Sequence, residues 1–127
     1  MDSRVRAVYE IEPRADGPAQ ARRIIAEELS ARVPAPVLDD VKLMVSELVT
    51  NGIVHGASEA NAPVTLDLAV NGTIRCRVID HGRGFARRPA RTGRGGWGLQ
   101  LVERLSDRWG MRTSRQRTEV WFERRCT

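Results

Sequence analysis

The stretch Val37–Gly56, VLDDVKLMVSELVTNGIVHG, decides how the rest of the chain is read. Its apolar residues Leu38, Val41, Met44, Val45, Leu48, Val49 and Val54 recur at three- and four-residue steps, the period of an amphipathic helix. Helix geometry then stacks Glu47, Asn51 and His55 on one stripe, which borders the apolar face instead of opposing it. A carboxylate and a carboxamide are poor packing residues there, because burying each unpaired costs about 1–3 kcal/mol. They suit a site that holds a metal-bound anion. Taken alone, the stripe reads equally well as a partly solvated polar edge.

Working outward, Arg4–Glu12 alternates loosely as a first strand closed by Pro13. Asp16 is a candidate N-cap for a helix that starts at Gly17-Pro18 and runs to about Arg32. Pro34 and Pro36 break the chain before the central helix, and Gly56 is its natural C-cap. Val64–Asn71 and Thr73–Asp80 read as two strands joined by a tight Asn71-Gly72 turn. Val64, Leu66, Leu68 and Val70 share one face, as do Ile74, Cys76, Val78 and Asp80, while Thr65, Asp67, Arg75 and Arg77 point the other way. One face is therefore buried and one wet, which predicts a two-layer α/β sandwich with a mixed, mainly antiparallel sheet and helices on one face only. Residues 81–96 form an Arg- and Gly-rich loop without hydrophobic period. A helix over Trp97–Ser106 and a closing hairpin, Arg108–Arg115 with Thr118–Arg124, complete a single domain over residues 1–127.

Composition bounds the function classes. With 127 residues, 41% hydrophobic and 29% charged, the chain reads as an ordinary globular domain. No apolar run reaches the roughly 18 residues of a membrane span, and the N-terminus lacks a signal peptide's apolar core. Cys76 and Cys126 resemble neither a disulfide framework nor a metal cluster, so a reducing cytoplasm is the expected setting. Residues 1–80 carry 9 basic and 12 acidic side chains, and residues 81–127 carry 12 basic and 4 acidic. That basic C-terminal part suits a nucleotide or a nucleic acid, and charge does not choose between them.

Three elements converge on a nucleotide. They are the Glu47/Asn51 stripe, Asp80 at the end of a buried-face strand followed by Gly82 and Gly84, and the loop entering a helix at Gly95-Gly96-Trp97-Gly98. Glycines before a helix start free backbone N–H groups for phosphates. A carboxylate only accepts, so Asp80 wants a donor such as the adenine exocyclic amine. A carboxamide oxygen on Asn51 can ligate Mg²⁺, which uses few protein ligands and bridges phosphates. Neither a Walker A pattern nor a protein-kinase Gly-rich loop with its partner motifs is present.

At these residues the chain resembles the GHKL ATPases, the Bergerat fold of histidine kinases, gyrase, MutL and heat-shock chaperones. SELVTNGIVHG (46–56) resembles their N-box, VIDHGRGF (78–85) their G1 box and RGGWGLQLVERLSDRW (94–109) their G2 box. The small size and the pattern GLQLVERLSDRWG…TEVWFE are most similar to stand-alone RsbW-like anti-sigma factor serine/threonine kinases. The resemblance implies Glu47 as general base, Asn51 as the Mg²⁺ ligand and Asp80 as the adenine-binding carboxylate, with Gly82 and Gly84 shaping the pocket. It implies Arg94 toward the γ-phosphate, and Gly95, Gly96, Trp97, Gly98 and Leu99 at the lid and phosphates. Thr118 is implied beside adenine. ATP and Mg²⁺ are the implied cofactors, and a sigma factor and an anti-anti-sigma protein the implied partners. No direct nucleic-acid or membrane contact is expected, and a homodimer is possible. The alternative is a nucleotide-binding partner-switching protein without kinase turnover. His55 and His81 read as structural, and Trp97, Trp109 and Trp121 as core or interface residues. Two departures stand out: Gly52 follows Asn51 where Ala is usual, lowering helix propensity by about 1 kcal/mol, and the lid between Gly84 and Gly93 is short.

Overall fold

The sheet grows from the tight turn predicted at Asn71-Gly72. In the computed structural model, which describes residues 4–54, 62–81, 99–114 and 117–127, Gly72 takes a φ of +78°. A β-carbon is disfavoured in that left-handed region, and glycine removes the penalty. The turn joins β2 (Val64–Val70) to β3 (Thr73–Asp80) in antiparallel register, with Leu68 opposite Cys76. β1 (Val5–Ile11) pairs with the outer side of β2. The closing hairpin of β4 (Arg108–Ser114) and β5 (Arg117–Arg125) docks β5 against β3. The order is β1-β2-β3-β5-β4. Every described pairing is antiparallel, so the sheet expected to be mixed is not mixed among the described residues.

Three helices are described, α1 (Gly17–Leu29), α2 (Ala35–Gly52) and α3 (Leu99–Leu105). α2 buries Val37, Val41, Met44, Val45, Leu48 and Val49 against the sheet and α1, each contributing about 1.5–3 kcal/mol by removal from water. Leu66, Leu68, Ile74, Cys76 and Phe122 meet them from the sheet and are fully buried. Asp40 on α2 and Arg124 on β5 pair at 3.1 Å, tying the helix layer to the sheet. Both cysteines are free thiols, and burial pushes the Cys76 thiol up from its usual range.

Several local expectations shift. Asp16 stands at the N-cap of α1 without a side-chain capping bond; its carboxylate lies 3.9 Å from Arg14. α1 ends at Leu29, before Arg32, through bonds from the Arg32 and Val33 N–H groups to the Leu29 carbonyl. Pro34 and Pro36 start α2 instead of only breaking the chain: Pro34 is its extended N-cap, and Pro36 falls in the first turn, where a missing N–H costs nothing. Regular α2 stops at Gly52, and residues 53–54 widen into a π turn. The expected C-cap at Gly56 lies outside the described residues. α3 begins at Leu99, with Trp97 outside the described residues.

The open face carries Thr65, Asp67, Arg75 and Arg77, as the alternation predicts. Asp67 is nonetheless buried beneath Arg6 and Arg77, each 3.7 Å away. Arg77 also reaches Glu119 at 3.6 Å. Such partly exposed pairs are worth at most about 1 kcal/mol each.

Candidate functional site

The C-terminal turn of α2 lies across the ends of β3 and β5. Asp80 ends β3, Thr118 lies near the start of β5, and the two are register partners. Both are buried, at 4% and 2% exposure. Gly52 makes the close approach possible. A β-carbon there would sit 3.3 Å from Val64 Cγ2 and 3.5 Å from Asp80 Cβ. The glycine that weakens the helix by propensity therefore sits where α2 packs tightly against Val64 and Asp80.

These elements line an open pocket formed by Leu48, Asn51, Gly52, Val78, Asp80, Leu99, Thr118 and Val120. Its walls are mostly apolar, with three polar side chains converging, the usual character of a small-molecule site. Two of those polar groups are incomplete. Asn51 Nδ2 and Thr118 Oγ1 are buried and find no hydrogen-bond partner among the described residues. Buried polar atoms are satisfied in the great majority of cases, so both fit a bound ligand that completes them. Among the described residues no group of three His, Cys, Asp or Glu side chains forms a metal cage. A cation here would rest on Asn51 Oδ1 plus the ligand's own oxygens, as Mg²⁺ commonly does, with the unpartnered Nδ2 left to donate to a ligand acceptor.

Of the residues expected at the site, the structure brings together Asn51, Asp80, Leu99 and Thr118. Glu47 stands half-buried one turn before Asn51 on α2 and does not line the pocket. The preceding residue, Ser46, accepts a 2.8 Å hydrogen bond from Arg22 of α1, and its carbonyl accepts one from Thr50. Gly82, Gly84, Arg94, Gly95, Gly96, Trp97, Gly98 and the short lid lie outside the described residues, as does His55. His81 is exposed just after β3. Trp109 packs partly against the core, whereas Trp121 lies on the open face with the guanidiniums of Arg75 and Arg108 over its ring, 5.0 and 5.7 Å from the centroid. Leu48, Val78 and Val120 were not foreseen as lining. Periodicity carried the signal, since they sit three residues before Asn51, two before Asp80 and two after Thr118.

The histidine kinase-like ATPase domain family matches residues 11–124, nearly the whole chain. The chain belongs to that family. Among curated relatives, the anti-sigma F factor of Anoxybacillus flavithermus (strain DSM 21510 / WK1) is 33% identical over 87 residues. That match spans 57% of this chain and 60% of the relative's length. Among solved structures, the RsbU and RsbW domains of Rv1364c from Mycobacterium tuberculosis superpose with a TM-score of 0.76 at 21% identity, covering 95% of this chain and 32% of that one. The SiaB–SiaC complex from Pseudomonas aeruginosa matches with a TM-score of 0.70 at 12% identity, covering 92% of this chain and 88% of that one. At these identities the two structures establish the fold. A histidine kinase-like ATPase domain implies ATP binding. No described helix is long and apolar enough to cross a membrane.

Proposed function

We propose that this histidine kinase-like ATPase domain is an anti-sigma factor of the partner-switching kind: a cytoplasmic serine/threonine kinase that binds ATP with Mg²⁺. In this reading it sequesters a sigma factor and phosphorylates an anti-anti-sigma protein, in line with the name of its anti-sigma F factor relative. The observation that carries the reading is the pair of unsatisfied buried atoms, Asn51 Nδ2 and Thr118 Oγ1, converging beside Asp80 one helical turn from Glu47.

Asp80 is an acceptor whose role is to receive the exocyclic amine of adenine, and the Thr118 hydroxyl offers a second bond on the same edge of the base. Leu48, Val78, Leu99 and Val120 supply the apolar surface for the ring. Asn51 is the residue that would hold Mg²⁺, and the ion would supply neutralisation of the phosphate charge. Arg94 and the glycines 95, 96 and 98 complete the phosphate cradle in this assignment. Glu47 takes the proton from the acceptor hydroxyl as the new O–P bond forms and ADP departs with the electrons of the broken bond. Phosphoryl transfer asks mainly for positioning and charge neutralisation, and this residue set offers both.

The test is a pair of substitutions read by two assays. Glu47→Ala is expected to lower phosphoryl transfer to a co-purified acceptor by about 10²–10⁴-fold, while calorimetric ATP affinity stays near that of the unmodified protein. Normal transfer would remove Glu47 from the base role. Asn51→Ala is expected to abolish the Mg²⁺-dependent part of ATP affinity. A protein that binds ATP and its partners yet transfers nothing would be a non-catalytic partner-switching module.

A further inference from the structure

Gly52 lines the pocket, is buried, and stands inside a helix. Glycine is among the poorest helix formers, so its place here calls for a reason outside the helix. The surroundings supply one. A β-carbon at Gly52 would meet Val64 Cγ2 at 3.3 Å, Val64 Cγ1 at 3.5 Å and Asp80 Cβ at 3.5 Å. The first of these is tighter than a β-carbon ordinarily keeps, so something has to give by a few tenths of an ångström.

Val64 is badly placed to give. It is fully buried, it pairs with the equally buried Ile11 of β1, and β-branching restricts its side chain to few rotamers. Close-packed interiors pass such a strain on instead of absorbing it. What remains free to move is α2 itself, or Asp80. Both carry ligand contacts. Asn51 precedes Gly52 on the helix and Asp80 lies against it, so a shift of either alters the span between them. In the nucleotide reading these two residues anchor opposite ends of one molecule, the base at Asp80 and the phosphates with their cation at Asn51.

We propose that Gly52 is a specificity-determining residue. By leaving out a β-carbon it fixes the Asp80-to-Asn51 span at the length that lets a 6-amino purine donate to Asp80 while its phosphates rest at Asn51. The proposal rests on the nucleotide reading of the site and adds what sets its base selectivity. A 6-oxo purine gains nothing from this span, because its oxygen and the Asp80 carboxylate are both acceptors. Gly52 therefore acts on the amine.

The experiment measures ATP and ITP, each with Mg²⁺, by competition against a fluorescent ATP analogue on the full chain. The unmodified protein is expected to prefer ATP by about 10–100-fold, the range of one hydrogen bond to a charged group. Gly52→Ala is expected to lower that preference about tenfold by weakening ATP, with ITP affinity little changed. Adding Val64→Ala removes both methyls that the new β-carbon would meet, and should bring the preference back. Gly110→Ala, whose β-carbon would strike Trp121 on the open face, should keep the preference intact while disturbing packing elsewhere. An undiminished preference in Gly52→Ala overturns the proposal. An equal loss for both nucleotides overturns it too, since that marks a glycine needed only for packing. If Gly52→Ala does not fold, the double variant decides: a preference restored to that of the unmodified protein sustains the proposal, and one that falls short overturns it. An unmodified protein that binds ATP and ITP alike removes Asp80 from base recognition, so the nucleotide reading of that residue fails first and this inference falls with it.

Discussion

Tyr9 is the only tyrosine in the chain, and its hydroxyl donates to the Glu28 carboxylate of α1. That hydrogen bond, then burial, then the negative charges of Glu28 and Glu27 push the phenol up to about 12 from an ordinary 10.0. All of these favour the protonated form. Because the folded value lies above the unfolded one, the contact's contribution to stability is whole below pH 10 and is lost as pH rises toward 12. Being the only tyrosine, it can be followed by tyrosinate absorbance without assignment. The native protein is expected to titrate near 12, the guanidinium-unfolded chain near 10, and Glu28→Gln between them. A native titration at the ordinary value would show that the bond does not persist in solution. Nothing in the sequence disclosed this pair. The two residues are 19 apart and meet only because β1 and α1 pack side by side.

Elements were legible where one physical rule acted alone. The three-four spacing of Val41, Met44, Val45 and Leu48 marked α2, and Asn71-Gly72 marked the hairpin turn, because period and φ restriction are local properties. Ends were less legible, since Asp16 and the prolines each admit two local uses and tertiary packing chooses between them. Gly110 was not legible at all. It faces Trp121 across the β4–β5 ladder, and a β-carbon there would lie 2.7–2.8 Å from the indole ring. The strand thus gives up a side chain where the indole ring sits, with the Arg75 and Arg108 guanidiniums over that ring. Gly110→Ala is expected to displace the ring and cost about 1–3 kcal/mol by denaturant unfolding. In a Trp121→Ala background the same change should cost much less, because the clash has gone. Equal costs in both backgrounds would mean that the ring does not constrain this position.

At the scale of the molecule, the pocket lies where α2, β3, β5 and α3 meet, so one ligand would bridge both layers. The sequence announced Asp80, Asn51 and Leu99 through their motifs but not Leu48, Val78 and Val120, which strand and helix packing brings to the pocket from residues that read simply as core. α3 has the least support of its own. It is seven residues long, and Val102 is its one fully buried side chain. Helices shorter than roughly 12 residues are marginal without tertiary contacts, and Leu99 at the head of α3 contributes to the pocket wall. Ligand binding should therefore stabilise this element out of proportion to its size. A non-hydrolysable ATP analogue with Mg²⁺ at about 100 times its Kd is expected to add about 2.7 kcal/mol to global stability. Amide exchange across Leu99–Leu105 should slow more than in the edge strand β1, which is remote from the pocket. In Asn51→Ala the Mg²⁺-dependent share of both effects should disappear, whereas Tyr9→Phe should retain it. Stabilisation with no change of exchange in α3 would place the ligand elsewhere on the sheet and separate the helix from the site.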